Sequence, residues 1–450
     1  MSTVREDPRT SIAVDWVTEH VGGQIIDVRP QPRWRPQWMI DVDRDGELVQ
    51  LLVRGTRVDT KLTWPLDHEM RFQGVLHRQG IRVPKVYGWI DDLPAFVTDR
   101  VPGRPNFDGS TDAEREVVVD EYLQALAAIH SLDLAPFVDA EIDRAPRPED
   151  SGLLGMMRLE HVFRSQKRHP DPFVEFCLGW FHRHPPQSHG RESAVVWDSG
   201  QFHHRSGHLE AVLDLELGHI GDPMMDLAGW RMRDSIIGFG NFAKLYDRYS
   251  ELVGEPVDLE AIQLHHFAFT LSNQLAFSHA LKDPPPGSDF ATNLQWCNET
   301  NLYATEALAE YLDIDLPTVE PLPARTSRVR PAHEHLARSL RTIDSDDDYV
   351  GHQLRIAFRL ARHLMRFDEV GDAAALGDIT DVNELTGERS ADWLEAESDL
   401  ERFVLADATD GRHDDDLVRL FHGRNLRAQM LNGPEGSAMA RHIPIQSFRG

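Results

Sequence analysis

The run Val195-Val196-Trp197-Asp198-Ser199-Gly200-Gln201-Phe202 is followed by Ala211-Val212-Leu213-Asp214-Leu215-Glu216, so two aspartates, a carboxamide and a glutamate sit at the ends of short apolar runs. Phosphoryl transfer from ATP needs a carboxylate near the attacking hydroxyl, oxygen ligands for Mg²⁺ and a cation on the phosphates. Asp198 and Asp214 could meet the first two needs, with Gln201 between them. Glu216 shares a strand face with Asp214 if the strand continues, either as a further metal ligand or as support behind one. In Gly218-His219-Ile220-Gly221-Asp222-Pro223-Met224-Met225-Asp226-Leu227-Ala228 the acids read as structural. Asp222 before Pro223 predicts a helix N-cap, and Asp226 is placed to brace the preceding loop from that helix.

Upstream, residues 38–42 and 48–54 are strand-like and flank Asp45-Gly46, a pair that tolerates the positive φ of a tight turn. This predicts a β-hairpin ending at Arg54. Leu66, Met70, Gln73 and Leu76 or His77 share a helical face with Gly80 as the stop, and strands are expected over 85–89 and 95–99. After Gly103 the character turns helical, with helices expected over 122–130, from 173 to a cationic end at His182-Arg183-His184, and over 262–281 before Pro284-Pro285-Pro286-Gly287. One short β region, 210–214, interrupts them.

The segment from Leu213 to Ala228 resembles the metal-binding strand of the aminoglycoside phosphotransferase and choline kinase superfamily, matching Leu-Asp-x-Glu-x-x-x-x-Gly-Asp-Pro-x-x-Asp-Leu-Ala almost completely. Gly80-Ile81-Arg82-Val83-Pro84-Lys85-Val86-Tyr87-Gly88, Val97-Thr98-Asp99-Arg100-Val101-Pro102-Gly103-Arg104 and Leu126-Ala127-Ala128-Ile129-His130 resemble further segments of that family, in the required order over roughly residues 20–310. The resemblance implies an α+β, two-lobed protein-kinase-like fold. Residues 1–103 form a β-rich N-lobe, 104–314 a mainly helical C-lobe, 315–331 a Pro-rich linker and 332–450 an accessory helical domain.

It also implies ATP and Mg²⁺ as cofactors and a small-molecule hydroxyl as acceptor. Asp198 takes the catalytic-base position, Asp214 the metal position, and Gln201 stands where the family has a metal-binding Asn. Arg54 occupies the place of the nucleotide-binding lysine, and Glu69 that of the helix glutamate paired with it. Arg33 and Arg35 lie where a glycine-rich phosphate loop would be, and either contact phosphates through their side chains or form a basic turn. The catalytic loop departs from the family pattern: Trp197 replaces the glycine of His-Gly-Asp, the histidine is absent, and Gln201 follows Asp198 by three residues instead of five. The rival reading is therefore a pseudokinase that binds a nucleotide or metabolite without transferring phosphate.

With 74 acidic against 47 basic residues the net charge is -27, which argues against nucleic acid and anionic membrane as partners. Two cysteines, Cys177 and Cys297, offer no disulfide framework or Cys-rich zinc site, and a polar N-terminus without a long apolar run fits a cytoplasmic protein. Residues 354–367 carry one apolar and one arginine stripe, as in a helix that packs by one face. The C-terminal segment is open between a packing domain, a substrate lid and a homodimer interface.

Overall fold

The computed structural model describes residues 7–31, 35–57, 61, 63–434 and 436–448. The chain divides into two compact units, 1–158 with 187–265, and 159–186 with 266–450. The C-terminal helices therefore cluster with residues 159–186 and 266–314, a grouping unlike the lobe, linker and accessory-domain scheme expected from the sequence.

The first unit begins with α1 (Pro8–His20), β1 (Gln24–Gln31), β2 (Gln37–Arg44), β3 (Glu47–Gly55), α2 (Leu66–Arg78), β4 (Val86–Ile90) and β5 (Ala95–Asp99). The five strands form one antiparallel sheet in the order β1-β2-β3-β5-β4. Alternation decides its faces. Trp38, Ile40, Val42, Leu51, Val53, Ala95 and Val97 bury one face against Ala13 and Val17 of α1. Each valine, leucine or isoleucine among them contributes about 1.5–3 kcal/mol when fully buried. Arg54 follows Val53 and so points to the opposite face. The hairpin turn is as expected, with φ of 56° at Asp45 and 86° at Gly46.

Helix α2 covers the predicted span, yet Phe72, Val75, His68 and Glu69 are buried as well as Leu66, Gln73 and Leu76, whereas Met70 is only half-buried. The buried surface is broader than one stripe, and this draws Glu69 inward. Helix α1 and strand β1 lie ahead of the elements foreseen, although Asp7 caps α1 with Pro8 at its first turn.

Next come α3 (Asp112–His130), α4 (Ala135–Asp139), α5 (Leu154–Gln166), α6 (Pro172–Arg183), then β6 (Ser193–Val195), β7 (Phe202–Arg205), β8 (His208–Val212) and β9 (His219–Gly221), followed by α7 (Met224–Ile237), α8 (Phe242–Val253) and α9 (Leu259–Thr270). Strands β6 and β9 pair, as do β7 and β8, so two small antiparallel ladders frame residues 196–201 and 213–218.

The remaining helices are α10 (Ser272–Lys282), α11 (Phe290–Leu312), α12 (Arg330–Thr342), α13 (Asp348–Thr386), α14 (Trp393–Asp407) and α15 (Asp414–Leu431). The expected helix over 262–281 is broken at Leu271 into α9 and α10. In the second unit α11 packs on α10, α13 and α15, and α14 on α6. Polar pairs join α11 to α15: Asn298 to Asn432 at 2.7 Å, Asn425 to the Asn301 carbonyl at 3.1 Å and Thr305 to His422 at 2.9 Å. Of the arginine stripe, Arg366 donates to the Met430 carbonyl at 3.1 Å and Arg359 to Thr292 at 2.7 Å, so this face is partly turned inward. Helix α6 ends at Arg183 as expected, with His182 and Arg183 in its last turn, and Arg183 also pairs with Asp414 at 2.5 Å. No helix among the described residues is long and apolar enough to cross a membrane.

Candidate active site

The loop after β6 is held from α7. Asp226, fully buried, accepts hydrogen bonds from the backbone N–H of Val196 at 3.0 Å and of Trp197 at 2.5 Å, while His130 meets its Oδ2 at 2.9 Å. Ser199 donates to the Asp226 carbonyl, and Gly200 N–H donates to the Tyr122 hydroxyl at 2.6 Å. Trp197 has φ of 62°, the left-handed region that costs a non-glycine residue about 1–3 kcal/mol. Its indole is buried between Trp64 and His219, ring centroids at 6.4 and 5.6 Å. Two glycines make room: a Cβ on Gly155 would collide with the indole, and one on Gly229 with the Trp197 carbonyl oxygen. A tryptophan thus occupies a glycine-like conformation because its surroundings supply both hydrogen bonds and space.

Asp222 behaves differently from a simple cap. Its Oδ1 accepts from Met224 N at 3.0 Å, but Pro223 is the capping position, and the carboxylate also binds Arg191 at 2.9 Å.

Beyond the loop, four carboxylates, three guanidinium groups and one amide form a continuous network. Gln201 Nε2 donates to Asp198 Oδ2 at 2.8 Å and to Asp214 Oδ2 at 3.1 Å. Arg54 reaches Glu69 at 3.0 Å, Asp214 at 2.6 Å and Glu216 at 3.4 Å. Arg35 pairs with Glu216 and lies 3.9 Å from Glu69. Arg233 holds Asp198 through Nε at 2.8 Å and through Nη2 at 2.6 Å to each carboxylate oxygen.

The two aspartates differ electrostatically. Burial pushes the Asp198 carboxyl up to about 6, with Arg233 working against the shift and Asp214 and Glu216 adding to it. Burial also acts on Asp214, but Arg54, Arg35 and Arg233 outweigh it and hold that carboxyl down at about 2. Glu69 is raised by burial, opposed by Arg54 and Arg35. Burial opposes the charge on Arg54, and Glu69, Asp214 and Glu216 more than restore it.

Of the residues singled out from the sequence, Asp198, Gln201, Asp214, Glu216, Arg54, Glu69 and Arg35 are therefore brought together. Arg33 lies outside the described residues. Arg233 escaped the sequence reading. The available signal was its spacing, seven residues past Asp226 and so two turns along the same face of α7.

The donors suit a hard cation: Asp214 is ionised, Glu216 lies within the same network, and the Gln201 amide oxygen can replace its nitrogen by a half-turn of the amide. The ATP phosphates would meet Arg54 and Arg35, both drawn into this network.

Residues 60–265 match the family model described as "Phosphotransferase enzyme family". Acyl-CoA dehydrogenase family member 10 of Mus musculus is 26% identical over 177 residues, 36% of this chain and 16% of that protein. Family member 11 of Rattus norvegicus is 26% identical over 176 residues, 36% of this chain and 22% of that protein. The chain thus spans less than a quarter of the length of these relatives. Among solved structures, macrolide 2'-phosphotransferase MphH from Brachybacterium faecium is similar with a TM-score of 0.45 and 16% identity, covering 70% of this chain and 100% of that one. Aminoglycoside phosphotransferase APH(2'')-Ib, ADP-bound, gives 0.41 and 13%, covering 58% and 88%. Over residues 60–265, a little under half of its length, this chain is thus similar to the phosphotransferase enzyme family.

Proposed function

We propose that the chain transfers the γ-phosphoryl group of ATP, in a Mg²⁺-dependent reaction, to a hydroxyl of a small molecule. The observation that carries this reading is the convergence of Asp198 and Asp214 on one amide, Gln201 Nε2, at 2.8 and 3.1 Å, with Arg54 bonded to Asp214. Asp198 accepts the hydroxyl proton as the acceptor oxygen forms its bond to the γ-phosphorus. The bond from that phosphorus to the β,γ-bridging oxygen breaks, and its electron pair leaves with ADP. Asp214, with Glu216 and the turned amide of Gln201, would hold Mg²⁺, which when bound offsets charge on the phosphate oxygens. Arg54, oriented by Glu69, and Arg35 would hold the α- and β-phosphates.

A second reading is favoured by the same network. Arg35, Arg54 and Arg233 are each paired with carboxylates that a catalyst would use, as in a scaffold that has ceased to transfer phosphate. ADP release by the purified protein with Mg²⁺, ATP and a library of hydroxyl compounds separates the two. The enzyme reading expects acceptor-dependent release that Asp198→Asn abolishes; release with no acceptor dependence, or none at all, contradicts it.

A further inference from the structure

Arg233 differs from the other cations of the cleft because its partner is the base itself. It grips Asp198 with Nε and Nη2, leaving Nη1 without a hydrogen bond among the described residues. That nitrogen is not among the buried unpaired atoms, and the side chain is 25% exposed, so the outer edge of the guanidinium remains open to a ligand.

A hydroxyl held by Asp198 lies one hydrogen bond from a carboxylate that is itself clasped by a guanidinium. Groups on neighbouring carbons of the acceptor then come within a few bond lengths of that cation. An ammonium there meets like charge close to the reacting oxygen. A carboxylate or phosphate gains a charge-assisted bond to the open edge, and the planar fork lets one arginine serve two anions. The net charge of -27 biases the far field towards cations, so only a local cation could reverse the preference.

We propose that Arg233 selects acceptors that carry an anionic group, a carboxylate or a phosphate, beside the hydroxyl to be phosphorylated. The inference rests on the phosphotransferase reading and narrows its substrate class. The test uses three probes of one skeleton: 3-hydroxybutyrate, 1,3-butanediol and 4-amino-2-butanol. ADP release with Mg²⁺ and ATP, and the melting shift in the presence of Mg²⁺ and a non-hydrolysable ATP analogue, are compared for the wild type, Arg233→Lys and Arg233→Gln.

The wild type is expected to favour the hydroxy acid in both readouts. Arg233→Gln removes that preference, raising KM for the acid by about 30-fold or more, while Arg233→Lys keeps part of it. An equal or better response to the diol or the amino alcohol, no response to the acid, or an unchanged preference in Arg233→Gln overturns the inference. Nucleotide binding is scored separately by the melting shift without any acceptor. If it persists while the anion preference is absent, only this inference fails; if it is absent, the phosphotransferase reading fails and takes the inference with it.

Discussion

The loop at residues 196–201 and the segment at 213–228 each deliver one aspartate to the same cleft, but by different means. Asp214 sits in a run that keeps its family spacing almost intact, and Arg54 and Gln201 bind it there. Asp198 sits in a shortened loop whose backbone hangs on Asp226 and whose carboxylate is fixed by Arg233, both from α7. A loop can lose its usual neighbours and still present its carboxylate when a helix elsewhere in the sequence takes over the support.

The sharpest way to break this comparison is to remove each carboxylate in turn. Asp198→Asn should cut acceptor phosphorylation by about 10³-fold while leaving nucleotide binding intact. Asp214→Ala should lose both, as measured by ADP release and by the Mg²⁺-ATP melting shift. Equal effects of the two variants on nucleotide binding would erase the distinction.

Asp226→Ala tests the support itself. It strands two buried N–H groups and a buried histidine partner, and should cost about 3 kcal/mol in urea unfolding. A loss below about 0.5 kcal/mol would show that the loop stands without α7. Smaller still, Gln201→Ala should raise the Mg²⁺ concentration needed for half-maximal nucleotide binding by about tenfold, since one of several oxygen donors is lost. An unchanged requirement would remove Gln201 from the metal set.

The pH profile of ADP release supplies a further contrast. The raised Asp198 carboxyl takes up a proton as pH falls through about 6, so the rate should drop tenfold per unit below that point. Asp214, held at about 2, stays ionised throughout this range. A rate level down to pH 4.5 would contradict the assignment of Asp198 as base.

What the sequence disclosed follows the same division. The Asp45-Gly46 turn and the span of α2 are local patterns, where turn chemistry and spacing set the geometry, and they were legible, whereas the strand expected over 210–214 ends at Val212 and Asp214 lies in the left-handed region with φ of 57°. Arg233 was not read, although its spacing from Asp226 sets both on one face of α7, because its pairing with Asp198 depends on where the loop after β6 settles against that helix. The left-handed Trp197 was equally hidden: Gly155 and Gly229, which make its conformation possible, lie 42 residues before and 32 after it. Regular structure lapses between Leu312, where α11 ends, and Arg330, where α12 starts. Composition could not reveal that the helices beyond it would pack on α11 and α6.

Calorimetric titration of the protein with ATP, with and without Mg²⁺, tests the central claim most directly. The account predicts saturable binding to one site that requires Mg²⁺, is abolished by Asp214→Ala and survives Asp198→Asn. Binding that ignores the metal and persists in Asp214→Ala, or no binding under any condition, would contradict it.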